Sequence, residues 1–194
     1  MVKLSTMLVG AVLISGCQSA DKKEGGPAER ESAALLDAVK AGRLEEVRSL
    51  LDAGGNPNAE DNDSGFMPLM WAASKGHTEV VRLLIEAGAE VDAKDRVDAT
   101  ALTWAAFNGH PETLRLLIEA GAELNATAHY GTTALMSATL QGRVQVVKIL
   151  IEAGADLTIK DKSGSPALMW ATKKGLSEVI EVLRDSSTGG QINE

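Results

Sequence analysis

The sequence predicts an all-α solenoid of stacked helix–turn–helix units joined by short hairpin-like turns. Three observations carry that expectation. Leu69, Leu102, Leu135 and Leu168 recur every 33 residues, and so do Gly76, Gly109, Gly142 and Gly175. Gly54, Gly88, Gly121 and Gly154 form a second series, spaced 34, 33 and 33, with the extra residue between Asn58 and Pro68. A fixed period in this range marks a repeat architecture. Finally, hydrophobic residues make up 44% of the chain but aromatic ones only 3%. The core must then be aliphatic, which suits short, close-packed helices better than a strand-rich sandwich.

Each unit can be justified from its residues. Pro68 sits at the start of a helix, where a missing N–H costs nothing. Leu69, Ala72 and Ala73 follow, and the small alanines let neighbouring helices approach closely. Gly76 ends that helix, because glycine accepts a left-handed backbone. Val80, Val81, Leu83, Leu84 and Ile85 then give a second helix one broad apolar face, and Gly88 ends it. Asp92 and Asn125 feed tight turns into the following unit. One helix pair cannot bury its face alone, so stacking supplies the core and the end units close it.

The segments MPLMWAASKGHTEVVRLLIEAGAEVDA, TALTWAAFNGHPETLRLLIEAGAELNA, TALMSATLQGRVQVVKILIEAGADLTI and SPALMWATKKGLSEVIEVLRD resemble the ankyrin repeat. AALLDAVKAGRLEEVRSLLDAGGNPNA precedes them as an atypical first unit. The resemblance covers residues 32–185 and implies five helix pairs, the first and last acting as caps. Two departures stand out. Met70, Thr103, Met136 and Met169 occupy the position of the family's helix-entry histidine, which implies looser turns with methionine adding packing. Asp98 replaces the usual turn glycine, so an irregular loop is expected there.

Residues 1–16 have the layout of a secretory signal peptide: Lys3, an apolar run from Leu4 to Ile14, then Ser15 and Gly16. The apolar run is short for a bilayer span. Ile14-Ser15-Gly16-Cys17 resembles the lipobox of bacterial lipoproteins, which implies lipidation at Cys17. More than one acyl chain would anchor the protein firmly. By the same resemblance Gln18, which is not aspartate, points to the outer membrane facing the periplasm in a Gram-negative host. Residues 17–31 are expected to form a flexible tether, and residues 186–194 a flexible tail. Cys17 is the sole cysteine, so no intramolecular disulfide can form.

A net charge of -8 argues against a broad nucleic-acid surface, which needs clustered Lys and Arg. Little chemistry is visible. No phosphate loop or framed nucleophile occurs. His77 and His110 share a repeat position, and the expectation is that each closes its own helix–helix turn. His129 stands apart. Glu86, Glu119 and Glu152 recur with the repeat and read as solvated. No enzyme activity, cofactor or metal is expected.

Specificity is expected where the repeats differ. By the ankyrin resemblance these are the turn tips (Ser64 and Phe66; Val97 and Ala99; Tyr130 and Thr132; Ser163 and Ser165) and the exposed side of the first helix (Ser74 and Lys75; Phe107 and Asn108; Leu140 and Gln141; Lys173 and Lys174). Phe66, Phe107, Tyr130 and Leu140 are the leading partner-binding candidates, because aromatic residues on an exposed stripe make interface anchors. Lys173 and Lys174 add a small basic spot. Trp71, Trp104 and Trp170 share one repeat position, with Ser137 as the exception, and are read as partly buried between units.

The sequence thus leads to a monomeric, non-catalytic protein-binding scaffold held in the bacterial envelope. The alternatives are a passive envelope spacer, or an immunity or stress-defence protein that binds a toxin or protects a neighbouring enzyme.

Overall fold

The computed structural model describes residues 27–61 and 64–188. Cys17, the signal-peptide segment 1–16, residues 17–26 of the expected tether and residues 189–194 of the expected tail lie outside them. The described chain forms ten α-helices and no strand: α1 Pro27–Lys40, α2 Leu44–Asp52, α3 Pro68–Lys75, α4 Thr78–Glu86, α5 Ala101–Asn108, α6 Pro111–Glu119, α7 Ala134–Leu140, α8 Val144–Glu152, α9 Ala167–Lys174 and α10 Ser177–Thr188. Both outer boundaries differ from expectation. Helix α1 starts inside the stretch read as tether, and α10 runs past residue 185 into the stretch read as tail. In that last stretch the Ser186 and Ser187 hydroxyls donate back to the carbonyls of Val182 and Leu183.

The helices form two layers. The odd-numbered helices pack on one another in chain order, and the even-numbered helices do the same behind them. Leu84, Leu117, Leu150 and Leu183 occupy one position of the second layer and are all buried. Ala72, Ala73, Ala105, Ala106 and Ala138 are fully buried in the first layer. Their small side chains bring those short helices together.

Helix starts follow local chemistry. The hydroxyls of Thr100 and Thr133 accept from the amides of Thr103 and Met136, capping α5 and α7. Pro68 and Pro111 open α3 and α6. At the other ends, Gly76, Gly109 and Gly175 are left-handed, at φ 72°, 82° and 68°.

Contacts between repeats correct two expectations. His77 and His110 do not simply close their own turns. The His110 ring reaches the Ser74 carbonyl of the preceding repeat at 3.1 Å, and it lies so close over Gly76 that an added Cβ would meet it at 2.5 Å. His77 covers Gly42, and Arg143, at the equivalent position, covers Gly109. Glycine is needed there for the backbone conformation and also for the space. The loop at Asp98 is likewise regular. Asp98 adopts the left-handed conformation (φ 59°) that Gly131 and Gly164 adopt in the next turns. Aspartate tolerates that region better than most residues.

At the helix-entry position, Met70 and Met136 are buried, as packing would require, whereas Met169 in the last repeat is exposed. The turns are tied together without the histidine. The amide of His129 donates to the Val97 carbonyl at 2.8 Å, and that of Lys162 to Tyr130 at 2.9 Å. A second ladder uses side chains. Asn58, Asp92 and Asn125 accept from the amides of Glu90, Glu123 and Asp156, each about one repeat further on.

Candidate protein-interaction surface

The turn before each odd-numbered helix from α5 onward has one backbone form. The amide of Asp95 donates to Ala99 at 3.0 Å, that of Ala128 to Thr132 at 2.9 Å, and that of Asp161 to Ser165 at 3.1 Å. Aspartate then organises two of these turns from within. Asp95 Oδ1 accepts from the amides of Val97 and Ala99, both at 2.9 Å. Asp161 Oδ1 accepts from those of Ser163 and Ser165 at 2.8 and 2.9 Å. These bonds favour the charged carboxylate. The Ser163 hydroxyl foremost, then the Ser165 amide and Trp170, hold Asp161 below the ordinary carboxylate pKa.

The second carboxylate oxygen holds the tryptophan. Trp104 Nε1 donates to Asp95 Oδ2 and Trp170 Nε1 to Asp161 Oδ2, both at 2.9 Å. Trp71 donates to Asp61 at 3.2 Å. Lys40 pairs with Asp61 at 2.8 Å and lies over the Trp71 ring. The three indoles are half-buried. This Asp–Trp pairing was missed from sequence, although its signal was there: Asp61, Asp95 and Asp161 recur with Trp71, Trp104 and Trp170.

The stripe residues divide. Phe66 is half-buried and wedged against two indoles, its ring centre 4.8 Å from Trp71 and 4.9 Å from Trp104. It is part of the aromatic packing. Phe107 meets Trp104 edge-on at 6.1 Å. Tyr130 is 71% exposed and stands edge-on to His129. Phe107, Tyr130 and Leu140 come together around one open hollow of about 310 Å³. Trp104, Met136, Ser137 and Trp170 complete much of its wall. Phe66, Lys173 and Lys174 do not line it. The two lysines are exposed, with Lys173 over the Trp170 ring at 5.7 Å.

The hollow lies on the first-helix side of the solenoid, among residues that differ between repeats. It is walled by apolar and aromatic groups and carries no ionised carboxylate or amine. Such a surface can take an apolar side chain. Among the described residues, no group of three or more His, Cys, Asp or Glu is placed to hold a metal. No described helix is long and apolar enough to cross a membrane.

A family model described as ankyrin repeats (3 copies) matches residues 9–95, 35–128 and 102–194. A search of curated proteins finds no match. The matched segments cover most of the chain, and the two-layer stack of helix pairs agrees with them; this protein belongs to the ankyrin-repeat family, whose repeats generally mediate protein–protein interaction.

Proposed function

We propose that the protein is a non-catalytic scaffold of the bacterial envelope, which binds a protein partner on the first-helix side of its solenoid. The observation that carries the reading is the clustering of Phe107, Tyr130 and Leu140 around one open apolar hollow. Exposed aromatic residues supply binding energy when a partner desolvates them. Attachment is by lipid on Cys17, on the strength of Ile14-Ser15-Gly16-Cys17, with the outer membrane facing the periplasm as the site in a Gram-negative host.

Two experiments test this. Recovery of a specific partner from detergent-solubilised envelopes is compared between wild type and the Phe107→Ala/Tyr130→Ala double variant. The variant is expected to fold and lose the partner; full recovery by a folded variant overturns the binding surface and favours a passive spacer. Separately, labelled palmitate should enter the wild-type chain and not Cys17→Ser, which should leave the membrane fraction. Equal labelling of both overturns the anchor.

A further inference from the structure

The hollow has a specific origin. Ser137 stands where the other repeats have Trp71, Trp104 and Trp170, and Ala128 stands where they have Asp61, Asp95 and Asp161. Both halves of the Asp–Trp pair are absent from the same repeat, and the turn nevertheless keeps its backbone, with Ala128 N–H to Thr132 at 2.9 Å and Gly131 N–H to Ala128 at 2.7 Å.

Two consequences follow. The space of one indole is left open between Trp104 and Trp170, and Ser137 lines the hollow together with both of them. In addition, Tyr130 and Thr132 are the counterparts of Val97 and Ala99, whose amides bond a carboxylate. No described residue accepts from the Tyr130 or Thr132 amide. Two N–H donors therefore face an empty carboxylate position beside an empty ring position. Had an aspartate remained at 128 opposite Ser137, its carboxylate would lack the indole donor it has elsewhere. Ala128 keeps the hollow neutral instead.

We infer that this hollow is a socket for a partner chain that supplies the missing pair: an aromatic side chain for the Ser137 gap, and a neighbouring carboxylate for the Tyr130 and Thr132 amides. The inference rests on the protein-binding reading above and gives the partner's chemistry. Size agrees, since an apolar cavity of about 150 Å³ takes a benzene, and the hollow measures about 310 Å³. The occupant is a protein segment because amino-acid side chains of this kind fill the equivalent space in the other repeats. Phe107 and the exposed Tyr130 flank the entry and offer edges and faces to an incoming ring.

The test uses the isotope-labelled full chain and three blocked dipeptides: acetyl-Asp-Trp-amide, acetyl-Asn-Trp-amide and acetyl-Asp-Ala-amide. The first should shift the Tyr130 and Thr132 amide resonances saturably. The second should bind more weakly, by on the order of tenfold, and the third should not saturate. The Ala128→Asp/Ser137→Trp variant restores a pair that its neighbours already tolerate. It should fold and bind none of the three. Absence of saturable shifts in wild type up to about 10 mM peptide, or equal binding by the refilled variant, overturns the socket. If the double variant does not fold, Ala128→Asp alone decides. It should erase the preference for the aspartyl over the asparaginyl peptide, and a preference that persists overturns the carboxylate assignment.

Partner recovery separates the two readings. Loss in Phe107→Ala/Tyr130→Ala and in the refilled variant is the expected result. Loss in the first alone keeps the binding surface and overturns the socket. No loss in the first overturns the surface, whatever the peptides do.

Discussion

Trp104 Nε1 donates to Asp95 Oδ2 at 2.9 Å, and the same carboxylate holds the turn through the amides of Val97 and Ala99. One aspartate therefore fixes the loop and also the indole on the helix that follows. Asp95 is 7% exposed, so these bonds are not exchanged freely with water, and their loss leaves donors unpaired.

Asp95→Ala should accordingly cost about 1–3 kcal/mol of stability. A urea melt followed by tryptophan fluorescence would read this as a lower midpoint, with the Trp104 emission moved toward that of a hydrated indole. An unchanged midpoint would show that the turn holds itself.

Asp161 links this architecture to pH. Its folded-state pKa lies below the ordinary carboxylate value, chiefly through the Ser163 hydroxyl and then the Ser165 amide. A depressed carboxylate contributes stability that is present above its unfolded pKa, about 3.9. That contribution is lost as pH falls through the lower folded pKa. Denaturant midpoints measured downward from pH 6 should fall less steeply on the acid side for Asp161→Asn than for wild type. Parallel curves would exclude Asp161 as a source of acid sensitivity.

Gly76 and Gly88 separate conformation from space. Both are left-handed, at φ 72° and 87°, but an added Cβ at Gly76 meets the His110 ring whereas at Gly88 nothing lies within 4 Å. Gly88→Ala should cost roughly 1–2 kcal/mol, the backbone penalty alone. Gly76→Ala should cost more, and the excess should shrink in a His110→Ala background. Equal costs in the wild-type background would remove the steric part of the inter-repeat contact.

Thr139 is fully buried in α7, and its hydroxyl has no hydrogen-bond partner among the described residues. Its counterparts Ala73 and Ala106 carry no polar atom there, whereas Thr172 in the last repeat carries a hydroxyl that donates to the Leu168 carbonyl. Thr139→Val keeps the shape and removes the hydroxyl, so thermal melting should show a gain of about 1 kcal/mol. A loss instead would mean that the hydroxyl is satisfied in solution.

Much of the scaffold was legible in the sequence because helix faces repeat at fixed intervals. The buried Leu84, Leu117, Leu150 and Leu183, the glycine ends and Pro68 at the start of α3 all follow from that rhythm. What escaped were contacts between side chains on different elements. His110 reaches back to Ser74 across a repeat boundary, a distance that no helical period encodes. Phe66 shared the varied positions with Phe107 and Tyr130, yet its neighbours Trp71 and Trp104 hold it against themselves. The repeat pattern begins at residue 32, whereas α1 begins at Pro27, a residue type suited to a first helical turn.

Each Asp–Trp pair is contained within a single repeat, nine or ten residues apart in the chain. Its surroundings are not confined to that repeat, since Phe66 in the turn below also packs on Trp104 and Lys40 of the preceding helix pair meets Asp61 and Trp71. If the proposed socket takes a guest, the storey at which it lodges would be set by the residues at two positions and not by the fold, and exchanging them between repeats would move the lodging by one repeat.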